Sequence, residues 1–325
     1  MRRSLGHKEQ IYAWAEEGLL DKHQLDALAA QDPLAPDGAQ WQKGIEQVAT
    51  AAGLVLLGAG VLFFFAWNWA DMHRLAKLAL ALMGFSSFAV LSAWATPASV
   101  LYRSAMFGCC IATGALLALI GQTYQTGSDI WQLFAVWAVL TLPWALLARS
   151  NACWGLFWAV GNFALCAFLA QSRWQGLYAG LQAYQALLVV AAANAALLLV
   201  FDRFDTLLLA YPRRSIQRLA CLGVLSALGC GAAAAWWETD LAALLLAFMV
   251  VSAAMLFYFH QRCRDLPVLA LILFWMIVVA TSGLVNLSID ADETFFLLNG
   301  IGLFVLVSSG LAALWLTRLS RESIG

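Results

Sequence analysis

The sequence predicts an all-α polytopic integral membrane protein with about ten transmembrane helices. Of its 325 residues, 63% are hydrophobic and 11% are charged, against about 45–50% and about 25% in soluble globular domains. The chain also contains ten long stretches without Asp, Glu, Lys or Arg, and its Lys and Arg residues gather in alternate connections between those stretches. These observations exclude an ordinary soluble domain.

The first 45 residues are polar and are predicted to form a cytosolic helical hairpin followed by a linker. Residues 8–17 and 24–31 fit two short helices separated by Gly18, and Pro33 and Pro36 mark the linker. The basic start is not followed by an apolar region or a small-residue cleavage site, so we expect no cleaved signal peptide. The hairpin is either a docking module for a partner or an amphipathic collar that rests on the bilayer surface.

The ten uncharged stretches predict the spans directly, because about 20 apolar residues cross a bilayer core and a charge at its centre costs several kcal/mol. Each stretch contains at least 19 residues. The ten stretches are residues 47–70, 78–102, 104–128, 130–148, 150–172, 174–201, 219–237, 241–261, 266–289 and 294–317.

The distribution of the 18 Lys and Arg residues tests this number of spans, because cytoplasmic loops collect basic residues. With ten spans, three basic residues (Arg74, Lys77 and Arg173) fall on one side, and the remaining 15 fall on the side of the N terminus. A missed span would reverse the side of every later connection and scramble this division. We therefore predict that both termini are cytoplasmic.

The longest cytoplasmic connection, residues 202–218, contains Pro212 and a basic cluster. It separates a six-helix membrane region, residues 46–201, from a four-helix membrane region, residues 219–317, and a cytosolic tail follows at residues 318–325. The basic cluster either sets the topology or binds anionic lipid, at about 1 kcal/mol per Lys or Arg.

Two predicted outer turns carry more polar and aromatic residues than a minimal connection requires. The first outer turn, residues 67–74, lies in GVLFFFAWNWADMHRLAKLALAL (60–82), and the second, residues 122–132, lies in GQTYQTGSDIWQLFAVWAVLTLPWALLAR (121–149). In these segments the chain resembles a family of bacterial polytopic membrane proteins known only as a domain of unknown function, DUF2157. The resemblance covers about residues 5–150 and rests on Trp67, Asn68, Trp69, Gly121, Gln122, Tyr124, Gln125, Gly127, Asp129, Trp131, Leu133 and Phe134. It implies a small N-terminal helical segment and a membrane location, and it implies no activity.

If the two outer turns pack together, they form a polar pocket with aromatic walls that suits a ligand or a partner. Aromatic faces suit sugars, cations and lipid headgroups. The alternative is structural, because Trp and Tyr form belts at bilayer interfaces and Asn, Gly and Asp are common in turns. The candidate residues are Trp67, Asn68, Trp69, Asp71, His73, Arg74, Gln122, Tyr124, Gln125, Asp129, Trp131 and Gln132.

The sequence contains no recognisable motif for catalysis, metal binding or a cofactor. No His has a partner four positions away, no Cys has a CxxC spacing, and phosphate-binding loops, nucleophile elbows and zinc-protease motifs are absent. We therefore expect no catalytic residue, no metal, no cofactor and no disulfide.

Polar groups are sparse in the predicted spans, which argues against an ion-coupled transporter with a charged site at the midplane. The notable ones are Asn162, Gln182, Asn194 and Asn299. Asn in a span commonly links helices by hydrogen bonds, and Gly allows close helix packing. We expect close packing at Gly223, Gly229, Gly231, Gly300, Gly302 and Gly310.

Three functions stay open for such a protein. The leading one is a non-enzymatic component of an envelope or membrane assembly in the bacterial inner (cytoplasmic) membrane, with membrane lipid and a membrane protein as partners and without nucleic acid. The second is a transporter or flippase of an amphipathic or lipid-linked molecule recognised at the outer turns; it requires Asn162, Asn194 and Asn299 to converge on a route, whereas an assembly component can bury such groups in pairs. The third is an enzyme that acts on a lipid headgroup, which requires Asp71 and Asp129 to lie close together.

Overall fold

The computed structural model describes residues 71–97, 99–124, 127, 129–175, 183–211, 214–288 and 294–322, with a few isolated positions before residue 71. Apart from those positions, the predicted N-terminal hairpin and the first predicted span, residues 47–70, lie outside the described residues. The chain divides between His73 and Arg74 into two compact units, and every helix named below belongs to the second unit.

Nine long helices make up the described membrane region. They are α1 (Arg74–Trp94), α2 (Val100–Tyr124), α3 (Ile130–Ala148), α4 (Asn151–Gln175), α5 (Ala183–Leu208), α6 (Ser215–Ala234), α7 (Ala242–Tyr258), α8 (Leu266–Ser288) and α9 (Thr294–Glu322). A 3₁₀ turn, Thr239–Leu241, precedes α7, and a π-helical turn, Phe259–Cys263, follows it. Each helix, with α7 extended by its π turn, is long and apolar enough to cross a membrane. The all-α, multi-span class is therefore confirmed.

The nine helices correspond one to one with the last nine uncharged stretches. Helix α3 has the predicted bounds, but α5 continues past its stretch to Leu208, with a kink at Phe204. The charge pattern marks the hydrocarbon core, whereas helical hydrogen bonds continue into the interface. Helices α5 and α6 therefore extend into the predicted connection at residues 202–218, and the part outside both helices lies between Leu208 and Ser215.

Helix α6 is the centre of the described region. It packs against α4, α5, α7 and α8, and eleven of its 20 residues are buried. A Cβ on Gly229 would lie 2.3 Å from the indole ring of Trp275 on α8, and a Cβ on Gly231 would lie 2.4 Å from Leu244 Cδ1 on α7. These contacts confirm the close packing predicted for both glycines.

Two apolar clusters hold the described helices together. The larger one includes residues of all five helices from α5 through α9, around fully buried residues such as Leu225, Leu244 and Leu269. The smaller one joins α2, α3, α4, α5 and α6, with Phe201 and Ile216 buried at its centre. The membrane regions on either side of the α5–α6 connection therefore share a core.

Helices α1 and α9 lie at the margins of the described region. Helix α1 packs against α2, and α9 packs against α8. Of the most apolar 18-residue window, 6% is buried in α1 and 0% in α9. In the described part of the chain, nothing lies within 4 Å of a Cβ built on Gly300, Gly302 or Gly310. The prediction of close packing is wrong for these three glycines within the described chain, because α9 meets α8 along its other side.

Candidate functional site

The second outer turn is organised as a helix cap. Asp129 lies in extended conformation immediately before α3. Its backbone N–H donates to Gln132 Oε1 at 3.2 Å, and the Gln132 N–H donates back to the Asp129 carbonyl at 3.0 Å. Gly127, two residues earlier, has a φ of +63°, a conformation that glycine adopts without steric cost. Asp129 and Gln132 thus have the contacts of a capped helix start.

The remaining described residues of this turn divide between packing and exposure. Trp131 packs edge-on against Phe168 of α4, with 4.8 Å between the ring centroids. Gln122 and Tyr124 end α2 and are exposed. Among the described side chains of this turn, Gln122 and Tyr124 are the ones exposed to a ligand or headgroup, whereas Trp131 packs α3 against α4.

The first outer turn lies largely outside the described residues, which include neither Trp67, Asn68 nor Trp69. Gln125 of the second outer turn lies outside them as well. Asp71, His73 and Arg74 are exposed, and Arg74 begins α1. The association of the two outer turns, and with it an outer pocket, stays a prediction.

Inside the described membrane region, the side chains of Trp158, Asn162 and Asn194 form a hydrogen-bonded cluster between α4 and α5. Asn194 Nδ2 donates to Asn162 Oδ1 at 2.6 Å and to the Val190 carbonyl at 2.9 Å. Asn194 Oδ1 accepts from Trp158 Nε1 at 2.8 Å and from Asn162 Nδ2 at 3.3 Å. These bonds confirm that Asn162 and Asn194 link helices.

We use the term charged face for the ends of the helices at which Arg103, Arg149, Arg203 and Arg218 lie. On this face, an ion pair joins α6 to α8, and its Arg218 side chain is 45% exposed. Arg218 Nε donates to both carboxylate oxygens of Asp265 at 3.1 Å, and the Asp265 side chain is 3% exposed. Since Asp265 immediately precedes α8, the pair fixes the start of α8 against the start of α6.

A cavity of about 290 Å³ lies beside this ion pair, with apolar walls and a few polar groups. Tyr258 donates a hydrogen bond to the Asp202 carboxylate at 3.2 Å. Hydrogen bonding to Cys263 and the nearby charge of Asp265 raise the pKa of Arg214. The negative charges of Asp202 and Asp265 offset the positive charges of Arg214 and Arg218 here. This balance favours a structural role for the site in joining α5, α6, α7 and α8.

A larger cavity of about 540 Å³, the Arg103 cavity, opens on the same face between the starts of α2, α4 and α6. The sequence did not predict this cavity, because Arg103 and Arg149 were interpreted only as basic residues of cytoplasmic loops. One signal in the sequence was available: near a helix start, Ser104 follows Arg103, and Ser150 and Asn151 follow Arg149. The lining residues are Val100, Arg103, Ser104, Phe107, Arg149, Ser150, Asn151, Ala152, Tyr211 and Ser215.

Comparison with known proteins supports the membrane class and carries no activity with it. No curated protein and no solved structure matches the chain. Residues 12–154 match a family model described as predicted membrane protein (DUF2157), and this segment includes both outer turns and helices α1–α3. The match confirms the resemblance found in the outer-turn motifs: over residues 12–154, this chain is similar to the DUF2157 family of membrane proteins.

Proposed function

We propose that the chain is a non-enzymatic component of a membrane assembly in the bacterial inner membrane, and that α9 contacts a partner helix there. The observation that carries this proposal is the exposure of α9. Along its most apolar window no residue is buried, although the helix is 29 residues long.

The composition of the exposed side of α9 supports a protein neighbour. Gly302, Ser309, Gly310 and Ala313 are exposed beside Leu306, which is 74% exposed. In membranes, small residues allow two helix backbones to approach closely and gain packing contacts. A helix side that meets lipid alone gains nothing from small residues, so this side of α9 suits a second helix.

The alternative is a transporter or flippase of an amphipathic or lipid-linked molecule. Such a protein needs polar groups that converge on a route through the membrane. Asn162 and Asn194 instead satisfy each other and Trp158, and Asn299 lies on α9, which packs against α8 rather than α4 or α5. Polar groups buried in pairs favour the assembly component over the transporter.

Site-specific photo-crosslinking in cells tests the proposal. A photoreactive amino acid is placed at Leu306 on α9 and, as a matched control, at Leu246 on α7, which is 69% exposed. We expect a protein adduct of one discrete mass from position 306 and none from position 246. Peptide mapping of the adduct then identifies the partner as a second copy or as a different membrane protein.

Two results would reject the proposal. One is a crosslink from position 306 to lipid alone, which would show that this side of α9 faces the bilayer. The other is a crosslink to residues 47–70 of the same chain, which would show that the protein covers α9 itself.

A further inference from the structure

We propose that the Arg103 cavity binds the phosphate of a lipid headgroup. The proposal is independent of the assembly role of α9, because the cavity is built from α2, α4, α6 and the segments that precede α4 and α6.

The cavity concentrates positive charge without a compensating carboxylate. Arg103 and Arg149 line it, and none of the lining residues that the structure describes is acidic. In the described part of the chain, neither guanidinium forms an ion pair. Guanidinium groups carry five N–H donors in a planar fork and bind phosphate oxygens in pairs, so an anion with several oxygens matches this lining.

Both guanidiniums are held in place by the protein. Arg103 lies over the ring of Tyr211, with Cζ 4.7 Å from the ring centroid. Arg149 Nη2 donates to the carbonyls of Thr206 and Leu209, and the Arg149 carbonyl accepts from the Ala210 N–H at 2.9 Å. A positioned donor loses little conformational freedom when a ligand binds.

Three helix starts add to the positive potential of the cavity. Val100, Asn151 and Ser215 are the first residues of α2, α4 and α6, and all three line the cavity. The N-terminal end of each helix carries partial positive charge. The starts of three helices and two guanidiniums therefore act on the same volume.

The surroundings favour a lipid over a soluble phosphate compound. The cavity lies at the ends of spans, where headgroups lie, and Val100 and Phe107 add apolar surface to it. Val100 is 74% exposed and the next residue, Leu101, is 51% exposed, so acyl chains can continue along α2.

The test uses the full chain, purified free of lipid in a neutral detergent and titrated with dioleoylphosphatidylglycerol. Native mass spectrometry measures bound lipid, and thermal unfolding measures the stabilisation that binding gives. We expect Arg103→Gln to weaken binding about tenfold, because it removes charge-assisted hydrogen bonds. Arg203→Gln, which removes an exposed arginine of the charged face outside the cavity, should leave binding unchanged.

A second pair of variants distinguishes an effect of charge in the cavity from an effect on folding. Ser104 is exposed and lines the cavity, so Ser104→Glu places a negative charge there without disturbing the core. Ser104→Glu should reduce lipid binding at least as much as Arg103→Gln, and Ser104→Gln should reduce it little. The lipid-free unfolding temperature of both Ser104 variants should equal that of the wild type.

Two outcomes would overturn the proposal. Equal weakening by Arg103→Gln and Arg203→Gln would show a diffuse attraction to the whole charged face. Tight binding of glycerol 3-phosphate without retention of phosphatidylglycerol would assign the cavity to a soluble phosphate compound instead.

Discussion

The side-chain amide of Asn194 on α5 occupies the space that a side chain at Gly223 on α6 would need. A Cβ built on Gly223 would lie 2.2 Å from Asn194 Oδ1. Asn194 has no easy way to move aside, because its hydrogen bonds to Trp158 and Asn162 hold it against α4. Packing and hydrogen bonding thus join α4, α5 and α6 at one point of the membrane region.

Replacement of Gly223 by Ala should therefore lower the free energy of unfolding by about 1–3 kcal/mol, the usual cost of overpacking. The control is Gly161→Ala on α4, where the structure shows open space around an added Cβ. Unfolding by sodium dodecyl sulfate in mixed micelles, followed by tryptophan fluorescence, measures both variants. Equal stability of the two variants would contradict the close contact between Gly223 and Asn194.

The hydrogen bonds between Asn162 and Asn194 should appear as a coupling energy in a double-mutant cycle. Alanine at both positions should show coupling of about 0.6 kcal/mol, with about 1.7 kcal/mol as an upper value for such bonds in membranes. The same unfolding assay applies. Asn162→Ala combined with Ser282→Ala on α8, whose hydroxyl bonds to the Ala233 carbonyl, is the control pair and should be additive. Additivity of the two asparagine variants would show that the hydrogen bonds between Asn162 and Asn194 contribute no interaction energy.

The Arg218–Asp265 pair should stabilise the charged face, because Asp265 is buried and Arg218 satisfies both of its oxygens. Arg218→Met should lower the free energy of unfolding by about 1.5–3 kcal/mol, the range for hydrogen bonds to charged groups. A second substitution, Asp265→Asn, should recover part of this loss because it removes the uncompensated charge. Thermal unfolding in detergent measures the series, with Arg203→Met as the exposed control. A double variant as unstable as the sum of the single variants would argue against this pairing.

The sequence predicted the spans well because charge is excluded from the bilayer core, and α3 has the bounds that this rule gives. The same rule failed at the end of α5, where helix continues through Asp202, Arg203 and Asp205. Charged residues are tolerated once the chain leaves the core, so a charge marks the membrane edge and not the helix end.

The contacts between side chains of different helices were less predictable, because they depend on which helices are neighbours. The sequence indicated that Asn162 and Asn194 link helices, but a single sequence does not show that they pair with each other. The Arg103 cavity collects residues from separate segments around Arg103, Arg149 and Tyr211. Each of those segments alone resembles an ordinary topology signal, and only the packing of α2, α4 and α6 brings them together.

In the second outer turn, two substitutions test whether Gln132 caps the start of α3 or belongs to a binding surface. Gln132→Ala should lower the free energy of unfolding by about 0.5–1.5 kcal/mol, because the Asp129 N–H loses its partner at 3.2 Å. Gln122→Ala, at an exposed position in the last turn of α2, should leave stability unchanged and serves as the matched control in the same unfolding assay. A loss with Gln132→Ala alone assigns Gln132 to the start of α3 and leaves Gln122 and Tyr124, among the described residues of this turn, as candidates for contact with a ligand. Unchanged stability in both variants would remove the cap assignment and return Gln132 to the binding surface.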